Sequence, residues 1–155
     1  MTTAPLQLCV RRSESAATAV PATQVRLRMP SDVGCIEQAV SLLARHCLAG
    51  TGAGERLRFR LQVAVAEALA NAVIRGNRED PRKSVYVEAE LFPDRIHVYV
   101  TDEGDGFDPA QVPEPILPEQ LFETCGRGLF LIRQLVDEVR FNEQGNSICM
   151  TLSRQ

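Results

Sequence analysis

The segment from Val63 to Ile74 constrains the fold more than any other part of the chain. It reads Val-Ala-Val-Ala-Glu-Ala-Leu-Ala-Asn-Ala-Val-Ile, and its only polar side chains are Glu67 and Asn71. A helix that is apolar on nearly all sides is normally buried in a core. We therefore expect a long helix here, packed at the centre of the domain and closed by the helix-ending signal Gly76-Asn77.

Glu67 and Asn71 are four residues apart, so a helix places them on the same face, about one turn from each other. An unpaired carboxylate in apolar surroundings is costly, so a polar group has to meet it. A structural network with backbone groups is one interpretation. The other is a divalent cation held through the amide oxygen of Asn71, with Glu67 nearby as a general base. The helix alone leaves both open.

A second motif, Asp102-Glu103-Gly104-Asp105-Gly106-Phe107, follows a predicted strand that ends at Thr101. Glycines at alternating positions allow the backbone to approach a flat ligand closely. The first aspartate can accept a hydrogen bond from an exocyclic amino group. Acidic glycine turns are common, so the motif is weak by itself, although its spacing does not fit an EF-hand calcium loop.

A third motif, Gly126-Arg127-Gly128-Leu129, opens a predicted helix that runs from Leu129 to Val136. Unpaired N–H groups at a helix N-terminus, preceded by glycines, favour a phosphate group, and Arg127 adds a positive charge. The motif is not a dinucleotide fingerprint, because a proline-rich loop precedes it and the glycine pattern fails at Leu131.

The remaining elements follow from periodicity and turn signals. We expect a strand at 23–29, a helix at 33–48 capped by Ser31, the long helix at 55–75, a hairpin of 84–92 with 95–101, and a second hairpin of 139–142 with 147–152. Helices gathered with antiparallel strands predict an α+β fold, a two-layer sandwich with a mostly antiparallel sheet and helices on one face. Residues 1–22 are expected to form a tail or an edge strand, and residues 23–155 a single domain.

Charge and hydropathy exclude two classes of partner. A net charge of −3 over 155 residues gives no basic surface for direct nucleic-acid binding. The apolar stretches are shorter than the roughly 20 residues that a membrane-spanning helix needs, and the N-terminus has no signal-peptide core. We therefore expect a cytoplasmic protein that binds neither nucleic acid nor membrane.

The order of the three motifs is more specific than any one of them. An E-x-x-x-N helix, a hairpin ending in D-x-G-x-G and a loop ending in G-x-G at a helix start resemble the ATPase family shared by gyrase, Hsp90, histidine kinases and MutL. The resemblance covers about residues 23–155 and implies the Bergerat-type ATP-binding fold. Within this family, the short gap between the glycine motifs and the sequences at 106–109 and 126–133 are similar to the anti-sigma-factor serine/threonine kinases.

The resemblance implies a site for ATP and Mg²⁺. Asn71 would ligate the Mg²⁺ ion, and Asp102 would accept a hydrogen bond from the adenine amino group. Gly104 and Gly106 would line the base, and Thr151 on the final strand would also reach the adenine.

The same resemblance assigns the phosphates to the start of the last helix. Gly126 and Gly128 would wrap the phosphate groups, together with Arg127 and Leu129 of the same motif. Arg75 stands where relatives often have histidine, and it would either contact phosphate or cap the helix. This departure leaves the rate of phosphoryl transfer in question more than nucleotide binding.

Two functional hypotheses follow from the resemblance. In the first, the chain is a serine/threonine protein kinase and anti-sigma factor that phosphorylates an anti-sigma-factor antagonist, a small α/β protein. Glu67 would take the proton from the partner's hydroxyl group, and a sigma factor would be a further partner in a partner-switching mechanism. In the alternative, the chain is a nucleotide-gated binding module with little or no kinase activity, which would not need Glu67.

Two further expectations concern architecture. The catalytic domain of a histidine kinase is disfavoured, because no dimerisation helix or phospho-accepting histidine segment precedes the domain and the loop between the glycine motifs is short. Relatives of the resembled family are dimeric, which makes a homodimer an expectation that no residue pattern here proves.

Overall fold

The fold is an antiparallel sheet covered on one face by helices. The computed structural model describes residues 6–13, 23–49, 52, 54–108 and 127–154. Within them the strands are β1 (Gln7–Arg12), β2 (Thr23–Pro30), β3 (Ser84–Leu91), β4 (Arg95–Thr101), β5 (Glu138–Phe141) and β6 (Ser147–Ser153). They form one six-stranded sheet in the order β1-β2-β3-β4-β6-β5, and every neighbouring pair is antiparallel. The predicted α+β class is confirmed.

The helices within the described residues are α1 (Ile36–Leu48), α2 (Glu55–Asn71) and α3 (Arg127–Leu135). A 3₁₀ turn, Val33–Cys35, leads into α1, and a π-helical turn, Ala72–Gly76, continues α2. In the part of the chain that is described, no helix is both long and apolar enough to span a bilayer.

Alternation along the strands places the core between the sheet and the helices. Val25, Leu27 and Met29 of β2 are buried, whereas Arg26 and Arg28 between them are exposed. The same alternation continues through β3 and β4. Because successive side chains of a strand point to opposite faces, one face packs on the helices and the other is more polar.

Helix α2 lies at the centre of this core, in contact with α1, α3 and the sheet. Its buried residues are Leu57, Leu61, Ala64, Val65, Ala68 and Leu69. The prediction of a central buried helix is therefore confirmed for the face of α2 that carries these residues. It does not extend to the last turn, where Ile74 is 49% exposed.

The start of α1 differs from the sequence-based expectation. The carboxylate of Asp32, and not the hydroxyl of Ser31, caps the turn by accepting a hydrogen bond from the N–H of Gly34 at 2.8 Å. Ser31 is buried, and its hydroxyl donates to the carbonyl of Lys83 at 2.8 Å. Ser31 therefore links the start of α1 to the start of β3.

The end of α2 is held by Asn77, which is only 1% exposed. Its Nδ2 donates to Ser31 Oγ at 2.8 Å and to the carbonyl of Ser84 at 2.9 Å. Its Oδ1 accepts a hydrogen bond from the N–H of Glu103 at 2.7 Å. One side chain thus joins the end of α2 to α1, to β3 and to the loop after β4.

We predict that Asn77→Ala lowers the free energy of unfolding by about 2–4 kcal/mol, because the buried hydroxyl of Ser31 and the partly buried backbone groups of Ser84 and Glu103 lose their partner. Urea unfolding measures the change. Gln134→Ala removes an exposed amide from α3 and should change the same free energy by less than about 0.5 kcal/mol. If Asn77→Ala lowers the free energy of unfolding by less than about 1 kcal/mol, Asn77 does not hold these segments together.

Candidate functional site

The first turn of α3 passes directly over the two polar side chains of α2. A Cβ atom added at Gly128 would lie 3.0 Å from Glu67 Oε2 and 3.1 Å from Asn71 Nδ2. Glu67 and Asn71 are both half-buried. The structure therefore brings Glu67, Asn71 and Gly128 together, and a side chain at Gly128 would be tight against both polar groups.

The structural-network interpretation of Glu67 and Asn71 finds no support. Among the described residues, neither side chain forms a hydrogen bond or an ion pair. Two polar groups at the boundary of an apolar helix interface are costly to bury without partners. Their positions under the start of α3 leave them able to meet a ligand.

Asp102 lies at the end of β4 and its backbone is held by Asn146. The N–H of Asp102 donates to the carbonyl of Asn146 at 2.9 Å, and Asn146 Nδ2 donates to the carbonyl of Asp102 at 3.2 Å. The side-chain Oδ1 accepts a hydrogen bond from the N–H of Gly104 at 2.8 Å. The carboxylate is thereby given a fixed direction.

The carboxylate of Asp102 packs against the backbone of Gly76 at the end of α2. A Cβ atom added at Gly76 would overlap this carboxylate, so any other residue here would displace it. Burial raises the pKa of Asp102, while the Gly104 N–H and the charge of Lys83 lower it to a smaller extent. The net effect favours the protonated form relative to an exposed aspartate.

The two glycines of the D-x-G-x-G motif have different surroundings. A side chain at Gly104 would collide with the carbonyl of Gly76, so this glycine allows the loop to lie against the end of α2. Gly106 has a φ of +83°, and a side chain there would collide with the carbonyl of Gln144 in the β5–β6 turn. Gly104 thus borders Asp102, whereas the contact observed for Gly106 is with the turn.

The G-x-G motif is only partly within the described residues. Gly126 lies outside them. Helix α3 begins at Arg127, two residues earlier than predicted, so Arg127, Gly128 and Leu129 form its first turn. Arg127 is exposed and Leu129 is half-buried. The exposed Arg75 lies in the last turn of the α2 extension.

Thr151 is not brought to the other candidate residues. It lies between Met150 and Leu152, which are both fully buried toward the helices, so its side chain is on the opposite face of the sheet. It pairs with His97 and Glu138. The adenine contact expected of Thr151 is therefore not supported by its position.

Asn77 and Asn146 are the residues that the motifs missed. Asn77 was read only as part of a helix-ending signal, and Asn146 lies in the second hairpin, where no motif drew attention to it. Both hold the backbone on either side of the Asp102 carboxylate. Their signal in the sequence is weak, because each acts through partners that are distant along the chain.

The amide oxygen of Asn71 is chemically suited to ligate a magnesium ion. Mg²⁺ is bound through oxygen atoms, and it usually combines one or two protein ligands with phosphate oxygens and water. Within the described ranges no group of three His, Cys, Asp or Glu side chains could hold a metal by itself. An amide oxygen beside a carboxylate, under the N-terminus of a helix, fits a cation that arrives with a phosphate group.

Comparison with known families and proteins identifies relatives of this chain. A family model described as "Histidine kinase-like ATPase domain" matches residues 29–152. "Serine-protein kinase RsbW" of Bacillus subtilis (strain 168) is 40% identical over 99 residues, which cover 59% of this chain and 61% of the relative. The protein of the same name from Listeria innocua serovar 6a is 33% identical over 98 residues, covering 59% and 62%. The match thus spans about three fifths of these relatives.

A solved structure shares the fold. It is the crystal structure of the RsbU and RsbW domains of Rv1364c from Mycobacterium tuberculosis, with a TM-score of 0.55 and 21% sequence identity. The similarity covers 84% of this chain and 32% of the other.

We predict that Asp102→Asn becomes more stable relative to the wild type as the pH rises from about 3 to 6. The pKa of folded Asp102 is raised above that of the unfolded chain, where ionisation has its midpoint at about pH 3.9, so ionisation disfavours the folded state. The asparagine cannot ionise and avoids this loss. Urea unfolding across this pH range measures the difference in the free energy of unfolding.

Asp105→Asn, at an exposed position of the same loop, is the matched control. A difference between Asp102→Asn and wild type that stays constant or falls with pH would show that burial does not govern this carboxylate.

Proposed function

Because this chain belongs to the family of histidine kinase-like ATPase domains, we propose that it binds ATP with Mg²⁺ and transfers the γ-phosphoryl group to a serine or threonine of a partner protein. The position of Gly128 above Glu67 and Asn71 is the observation that carries the proposal. It places a helix N-terminus, an amide oxygen and a carboxylate in one half-buried space.

The order of groups along α2 supports a single extended nucleotide. Asp102 packs at Gly76, Asn71 lies five residues earlier, and Glu67 a further turn before that. At about 1.5 Å per residue, the distance from Gly76 to Glu67 is roughly 13 Å along the helix. A base at Asp102 would therefore leave its phosphates at Asn71, with the terminal phosphate toward Glu67.

Each group has a distinct part in holding this nucleotide. The Asp102 carboxylate would accept a hydrogen bond from the adenine amino group while Gly104 fixes its direction. The N–H groups of the first turn of α3 would bind phosphate oxygens at Gly128. Arg75 and Arg127 would add positive charge from the exposed side.

Transfer requires a base and room for the accepting hydroxyl group. The bound Mg²⁺ would supply positive charge that neutralises the phosphate oxygens. Glu67 would accept the proton of the partner's hydroxyl group as that oxygen forms a bond to the γ-phosphorus, and the bond to the bridging oxygen of ADP breaks. The half-buried position of Glu67 limits the access of water that would compete for the phosphoryl group.

The proposed substrate is an anti-sigma-factor antagonist, a small α/β protein. The curated relatives are named serine-protein kinases, which supports a serine as the acceptor. The choice of the antagonist as the substrate rests on the resemblance of the glycine motifs to the anti-sigma-factor kinases. In this scheme the chain acts in the cytoplasm and also binds a sigma factor. Phosphorylation of the antagonist would release it from the chain, which would then bind the sigma factor instead. A homodimer is part of the same proposal, and sedimentation measures it.

We predict that Glu67→Gln binds Mg-ATP within about threefold of the wild type but transfers phosphate to an antagonist about 10²- to 10⁴-fold more slowly, because the glutamine cannot accept a proton. Labelled ATP and a panel of small α/β antagonists from the same genome provide the assay. Glu55→Gln, in the exposed first turn of the same helix, should transfer at the wild-type rate.

Two outcomes would argue against this mechanism. Unchanged transfer by Glu67→Gln would remove the glutamate from the role of base. A wild-type chain that binds Mg-ATP and an antagonist, yet transfers no phosphate, would be the nucleotide-gated binding module. The presence of Arg75 where the resembled kinases often have histidine is the feature that favours this second candidate.

A further inference from the structure

A second cleft lies at the opposite end of the sheet from Asp102. It has a volume of about 600 Å³ and lies between the end of α1 and the β3–β4 turn. Its apolar wall includes Val10, Leu91 and Phe92, and its cationic side chains are Arg12 and Arg154. Strand β4 runs from this end to Asp102, and its seven residues span roughly 20 Å. The cleft is therefore separate from the proposed nucleotide site.

Within the described ranges, no carboxylate balances the charge of this cleft. Among the described residues, neither Arg12 nor Arg154 forms an ion pair, and the nearby carboxylate of Asp94 is bound to Arg95 at 2.8 Å. Helix α1 ends beside the cleft at Leu48, and its dipole contributes about half a negative charge. Two guanidinium groups outweigh that half charge, so the cleft favours an anion.

Arg154 gives a second reason to expect an anion in this cleft. Its Nε atom is buried and has no hydrogen-bond partner within the part of the chain that is described. A buried donor without a partner is unfavourable and uncommon in folded proteins. A small rotation of the guanidinium group toward the cleft would expose Nε and one Nη as a fork, the arrangement that binds a carboxylate through two hydrogen bonds.

We propose that this cleft binds a small carboxylic acid with an apolar chain. The carboxylate would pair with Arg154 and Arg12, and the chain would lie on the wall formed by Val10, Leu91 and Phe92. The volume falls within the range of about 300–1,000 Å³ that is usual for small-molecule sites. The proposal does not depend on the proposed kinase activity, because no residue is shared between the two sites.

Calorimetric titration of the full chain with octanoate tests the proposal. Octanoate should bind saturably, while octanamide, which keeps the chain and lacks the charge, should bind at least about tenfold more weakly. Inorganic phosphate should also bind more weakly, because it has no chain for the apolar wall. If octanoate and octanamide bind equally well, the carboxylate does not pair with the arginines and the proposal is wrong. If phosphate binds as tightly as octanoate, the apolar wall does not contribute and the proposal is also wrong.

Variants locate the binding within the molecule. Arg154→Gln and Arg12→Gln should each weaken octanoate binding about tenfold or more, because each removes a charged hydrogen-bond donor. Arg11→Gln makes the same charge change one residue away, on the opposite face of β1, and should alter binding by less than about twofold. The proposal would be overturned if the wild type does not bind octanoate, or if Arg154→Gln and Arg12→Gln bind it as tightly as the control Arg11→Gln.

Discussion

The close contact between the end of α2 and the loop after β4 is the constraint on which the site depends. The backbones of Gly76 and Gly104 are in close contact, and the carboxylate of Asp102 lies beside both glycines. No side chain can be added at either glycine without a collision. Asn77 closes the same contact through a hydrogen bond to the N–H of Glu103. The direction of one carboxylate is therefore determined by residues of two distant segments.

A second constraint is the polar pair on α2. Glu67 and Asn71 interrupt an otherwise apolar face, and the absence of a side chain at Gly128 keeps them accessible beneath α3. An apolar residue at either position would suit the packing of the helix better. The arrangement is explained by ligand binding more readily than by stability, in keeping with the membership of a nucleotide-binding family.

Local patterns predicted most of the fold, because the strands alternate and α2 is apolar over three turns. They failed where a distant residue decides the outcome. Ser31 was expected to cap a helix, yet Asn77, 46 residues away, engages its hydroxyl. Gly76 looked like an ordinary helix-ending glycine, although its lack of a side chain serves the contact with Asp102. Thr151 was expected near the adenine only because of the family resemblance, and the burial of Met150 and Leu152 places its side chain on the other face of the sheet.

In the proposed mode of binding, the space under α3 holds the phosphates and metal of a nucleotide through Asn71. Calorimetric titration of Mg-ATP into the wild type, Asn71→Ala and the exposed-site control Gln134→Ala tests it most directly. We predict micromolar binding by the wild type and the control, and binding weakened about tenfold or more in Asn71→Ala, which lacks the amide oxygen proposed to ligate the metal. Equal affinity in all three proteins, or no binding by the wild type, would contradict a nucleotide site at Asn71.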